Sequence, residues 1–181
     1  MQDTLYPWPL RLTHWLTVGL VIVQVGLAIT NWLVYEPRPI LAEALVQAHL
    51  SLGALAFAIT LARLGLRLWL GRPAFPDVMR SATRHAARVV HALLYVLLLA
   101  LPITGYIKLA ALGFEITLFG IIALPALPFD PELATRARLA HRALAILLGL
   151  AVVGHALAAI FHARLFGGVV LYRMGVGTPR P

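Results

Sequence analysis

The sequence predicts an all-α integral membrane protein, a four-helix bundle, and three observations carry that prediction. Of 181 residues, 61% are hydrophobic and 12% charged, with mean hydropathy +0.87. A soluble domain is nearer half apolar and a quarter charged, so this chain has too much apolar surface to bury in itself. Four apolar stretches reach the roughly 20 residues that a helix needs to cross the hydrocarbon. The basic residues gather between these stretches on one side, as the positive-inside rule requires of a multi-pass chain.

The first span is expected over 10–34, ending at Glu36-Pro37-Arg38-Pro39, where two prolines stop a helix. It is too long for a signal peptide, carries His14 and Trp15 in its opening turn, and has no small-x-small cleavage site after it, so it is expected to stay in the mature chain. The second runs over 45–70 and stops at Gly71-Arg72-Pro73. The third, 86–112, contains Pro102 and Gly105, which should kink it. The fourth spans 139–161. Between the last two, Gly113 to Glu132 is too apolar for an ordinary loop and is broken by Pro125, Pro128 and Pro131, which suggests an interfacial or re-entrant cap. No internal repeat stands out, and residues 1–181 read as one unit.

One side collects Arg11, Arg63, Arg67, Arg72, Arg80, Arg84, Arg88, Arg164, Arg173 and Arg180 against Asp3 and Asp77. The other collects Arg38, Lys108, Arg136, Arg138 and Arg142 against Glu36, Glu43, Glu115, Asp130 and Glu132. Both termini and the Leu70 to Arg84 loop are therefore expected to face the cytoplasm. Nucleic-acid binding is not supported, because the basic residues sit at helix ends.

With no Cys there is no disulfide, thiolate metal site or iron–sulfur cluster, and the seven histidines are the remaining strong ligands. Ionisable groups inside a span are costly and point to function. His14 falls near the cytoplasmic start of the first helix and His49 near the outer end of the second. His141 and His155 lie fourteen residues apart in the fourth, about 21 Å of rise and close to four whole turns, so they share one face. This closes two pairs, His49 with His141 outside and His14 with His155 inside. Two bis-imidazole b haems stacked across the bilayer are the simplest chemistry that such pairs serve.

Gly53, one turn beyond His49, and Gly19, Gly26, Gly149 and Gly154 would let a flat macrocycle approach the helices, or would serve ordinary helix packing. Arg63 and Arg67 would pair with inner haem propionates or snorkel to the interface. His91, early in the third helix, is a competing inner ligand, a quinone contact or a structural histidine. His162, two turns beyond His155, is a proton donor to quinone, a propionate contact or an interfacial residue. His85 reads as a solvated loop residue.

The His14-Trp15 pair, His49-Leu-Ser-Leu-Gly53, Arg63-x-x-x-Arg67, His91-Ala-Leu-Leu-Tyr, Leu101-Pro-Ile-Thr-Gly105, His141 and Gly154-His155 together resemble the bacterial cytochrome b561 family over almost the whole chain. The resemblance implies a di-haem b membrane cytochrome of the superoxide:ubiquinone oxidoreductase kind, with axial ligands at His14, His49, His141 and His155. On that reading an outer donor, superoxide or another periplasmic one-electron donor, delivers electrons, and ubiquinone accepts them at the inner side with His162 and His91 as the catalytic proton carriers. Arg136, Arg138 and Arg142 flank His141 and would steer an anion or balance Asp130 and Glu132. The alternative is an anchor subunit passing electrons between the quinone pool and a partner dehydrogenase or hydrogenase, and the partners to expect are lipid, quinone, a redox protein or a second copy. A His-lined ion carrier is a further rival, but no acidic residue lies deep in any span.

Overall fold

The computed structural model describes residues 5–35, 37–71, 73, 75 and 79–178. Asp3, Glu36, Arg72, Asp77 and Arg180, which entered the charge comparison, lie outside the described residues. Four long helices follow one another: α1 (Trp8–Val34), α2 (Pro39–Leu70), α3 (Ser81–Ala110) and α4 (Pro131–Leu165). All four are long and apolar enough to cross a membrane.

Each helix extends beyond the apolar window that revealed it, because start signals lie upstream of the hydrocarbon. Proline occupies the first turn of α1, α2 and α4, where its fixed φ suits a helix and its missing N–H costs nothing. The Asp130 carboxylate caps α4 by accepting from the Leu133 N–H at 2.9 Å, and Glu132 adds a favourable charge in the first turn. Hence α4 opens at Pro131, not 139. α3 opens at Ser81, which places His85 on an exposed helical turn instead of the expected loop. It runs through Pro102 and stops at Ala110, two residues early, as the chain turns at Gly113 with φ +80°.

The stretch expected as an interfacial or re-entrant cap contains a small antiparallel hairpin, β1 (Thr117–Leu118) with β2 (Ile122–Ala123), Thr117 facing Ala123. The following prolines deny it a helix, so its polar backbone is satisfied by pairing. It rests on α2, where the Phe119 N–H donates to the Ser51 hydroxyl at 2.9 Å. Tyr106 of α3 donates to the Pro125 carbonyl at 2.7 Å, and the Asp130 N–H to the Ala111 carbonyl at 2.9 Å.

α1 packs on α2, α2 on α3 and α3 on α4. Among the described residues, no Cα of α4 comes within 8 Å of one in α1 or α2. The α2 seam is built from small side chains, with Ala42, Ser51, Gly53, Ala56 and Thr60 buried, as close helix approach in lipid requires. Thr60 donates to the Ala56 carbonyl at 2.7 Å and Thr17 to the Thr13 carbonyl at 2.8 Å, so neither buried hydroxyl is left unbonded.

After α4 the chain turns at Gly167 and Gly168, forms the single turn α5 (Val169–Tyr172), and crosses to the start of α1. There Trp15 Nε1 donates to the Met174 carbonyl at 3.1 Å and the Tyr6 N–H to the Arg173 carbonyl at 3.0 Å. The bundle thus has a basic end, where α1 starts and α4 finishes, and a hairpin end.

Candidate functional site

α4 supplies one imidazole to each end. At the hairpin end, His141 of α4 faces His49 of α2, with ring centroids 6.3 Å apart. At the basic end, His155 of α4 faces His14 of α1 at 6.4 Å. Both pairs bridge helices whose backbones do not approach within 8 Å.

Two imidazoles on opposite sides of one metal ion, with metal–nitrogen bonds of about 2.0 Å, place their ring centroids roughly 6 Å apart. Both pairs have that spacing. All three ring pairs are steeply inclined, at 68–73°, but His91 of α3 stands only 5.2 Å from His155, which is too close to admit an ion in line. Among the described residues there is no group of three or more His, Cys, Asp or Glu side chains placed to hold a metal. Each pair therefore suits a metal whose other ligands come from elsewhere, as a porphyrin provides. The space beside Gly19, Gly149 and Gly154 is open, with no atom within 4 Å of where a Cβ would stand. The residues fit haem.

The family comparison agrees. A model of prokaryotic cytochrome b561 matches residues 5–177. The chain belongs to that family. Among curated proteins no sequence match is found. Membership makes this cytochrome b561 a bacterial membrane protein and an oxidoreductase-type electron carrier that moves electrons across the membrane by b haems.

The imidazole orientations in this cytochrome b561 follow from their neighbours. His141 Nδ1 lies 3.0 Å from the Leu101 carbonyl and 3.1 Å from the Thr104 hydroxyl. A carbonyl only accepts, so Nδ1 carries the proton and Nε2 keeps the lone pair for a ligand. The Thr104 hydroxyl itself donates to the Ala100 or Leu101 carbonyl. His141 can come this close because α3 has glycine opposite it: a Cβ on Gly105 would stand 3.2 Å from His141 Cε1. Gly105 was read from the sequence as a kink residue, and its place against the imidazole comes from the fold. His162 is fixed in the same way, its Nδ1 2.7 Å from the Ala158 carbonyl and its ring stacked on Phe166 at 5.7 Å.

One cation accompanies each pair. Arg63 of α2 donates to the Leu10 carbonyl and lies 3.4 Å from the Thr13 hydroxyl, tying α2 to α1 beside the basic-end pair. Arg67 lies 5.6 Å over the Tyr95 ring, a cation–π contact between α2 and α3. Both arginines are thus held by the protein itself instead of extending freely to the interface. At the hairpin end the cation is Lys108 of α3, one turn beyond the Thr104 that lies against His141.

From the sequence Lys108 entered only the charge comparison of the two sides, not the site. Its only signal is the spacing, one turn beyond Thr104 on the same α3 face. With Arg138 and Thr135 it lines a cleft between α3 and α4. Of the arginines flanking His141, Arg136 pairs instead with exposed Glu132. Gly53 is buried, and a Cβ there would stand 2.9 Å from the Gln24 amide nitrogen, which would have to shift to admit it.

Proposed function

We propose that this cytochrome b561 carries electrons through two b haems, one held by His49 and His141 and the other by His14 and His155. The donor is superoxide or another periplasmic one-electron donor, and the acceptor is ubiquinone at the basic, cytoplasmic end. The observation that carries this reading is the pair of imidazole spacings, 6.3 and 6.4 Å, at opposite ends of one helix. Their α4 members are fourteen residues apart, about 21 Å along the axis. The haems, when bound, supply one-electron redox chemistry.

The chain supplies the rest. A haem held by two histidines would have no ligand position left open for oxygen, which would favour electron transfer over oxygen binding. The Lys108–Arg138 cleft gives the hairpin end local positive charge suited to an anionic donor. At the other end quinone reduction needs protons as well as electrons. His162, whose Nδ1 is committed to the Ala158 carbonyl, keeps Nε2 free to hold and pass a proton. His91, in edge contact with His155, is the second proton carrier on this reading.

The test begins with a dithionite-reduced minus oxidised spectrum and a pyridine haemochrome count on the purified protein, followed by superoxide-driven quinone reduction in liposomes. Two low-spin b haems and quinone reduction are the expected results. No haem would sink the reading, and two haems without superoxide oxidation would move the donor to a partner protein.

A further inference from the structure

Between Thr17 and Thr30, Gln24 is the only polar side chain of α1. An amide at that depth in lipid is costly unless it is hydrogen-bonded. Its Nε2 donates to the main-chain carbonyl of His49 at 2.9 Å. The amide nitrogen must be the atom facing that carbonyl, because two carbonyl oxygens would repel. The approach is possible because Gly53 has no side chain: a Cβ there would stand 2.9 Å from the same Nε2. Gln24, His49 and Gly53 therefore form one clamp between α1 and α2 at the level of the hairpin-end pair.

Two buried polar atoms beside this clamp have no hydrogen-bond partner: Gln24 Oε1, an acceptor, and His49 Nδ1. A metal-bound imidazole almost always donates its second ring N–H to an acceptor, which fixes the ring and makes it a more basic ligand. His141 has such acceptors in Leu101 and Thr104. His49 has none, while the unused acceptor belongs to the residue already anchored on its backbone.

We propose that Gln24 is the positioning residue for His49: its amide N–H holds the His49 backbone, and its carbonyl oxygen accepts the His49 Nδ1 proton when Nε2 binds iron. The proposal rests on the reading of His49 as an axial ligand. A more basic imidazole favours oxidised iron, so Gln24 lowers the midpoint potential of the hairpin-end centre. The basic-end centre is untouched.

The test is a spectroscopic redox titration of the haem-loaded protein and of Gln24→Met, which keeps the length and removes the amide. Gly53→Ala, which displaces the amide without deleting it, is the second variant. The expected result is that both variants keep two haems and raise the midpoint potential of one centre, with no further rise when the two substitutions are combined. The shifting centre should be the one that His49→Ala removes. Unchanged or lowered potentials, or a shift in the centre that His14→Ala removes, overturn the proposal. If Gln24→Met loses haem, loss confined to the hairpin-end centre supports the clamp, whereas loss of both centres from both variants overturns it as a general folding defect. His49→Ala retaining both haems refutes the ligand reading itself, an outcome distinct from a null result at Gln24.

Discussion

The His141 ring occupies the space that a side chain at Gly105 would need: a Cβ there would stand only 3.2 Å from His141 Cε1. A methyl group there asks the ring to shift by a few tenths of an ångström, and a branched side chain asks for far more. Overpacking a seam of this kind costs about 1–3 kcal/mol. Gly105→Val should therefore lower the detergent-solubilised melting temperature and release the hairpin-end haem, while Gly105→Ala keeps it. A haem count on both variants checks this.

The two candidates for the basic-end ligand opposite His155 differ in spacing, 6.4 Å for His14 and 5.2 Å for His91. His14→Ala is expected to halve the haem content. His91→Ala is expected to leave it at two per chain and to slow quinone reduction. A full haem complement in His14→Ala would exchange their roles.

Arg63 fastens α2 to the first turns of α1 through the Leu10 carbonyl, and charge-assisted bonds of this kind contribute about 1.5–3 kcal/mol in water and less in lipid. Arg63→Met should destabilise the fold by about 1 kcal/mol or more and shift the basic-end potential downward, because a cation that favours the reduced centre is gone. Thermal unfolding and a redox titration read the two effects separately. Arg67→Met, which removes only the contact over Tyr95, should leave the potential nearly unchanged.

His162 is the variant that separates proton delivery from haem binding. His162→Ala should reduce quinone turnover by roughly 10²-fold, the lower end for loss of a general acid. Both haems should stay in place. Loss of a haem in this variant would assign His162 a structural part instead.

Much of this was legible in the sequence, and the limits have identifiable causes. The spans were visible because lipid imposes a length, and the histidine pairs because fourteen residues return an α-helix to nearly the same face. Helix ends were misplaced where the starting signal lies outside the apolar window, as with Asp130-Pro131-Glu132 before α4. The hairpin escaped notice because two-residue strands carry no alternation to detect. Lys108, Gln24 and the true surroundings of Gly53 and Gly105 depend on which helix lies opposite, and one chain's periodicity does not state that.

The tail that follows α4 works as a strap: its Met174 and Arg173 carbonyls accept from Trp15 and Tyr6, so it joins α4 to α1, two helices that do not pack on each other directly among the described residues. Severing that strap would loosen the His14–His155 spacing and leave the His49–His141 spacing, whose α4 member is held by Leu101 and Thr104 of α3, as it is.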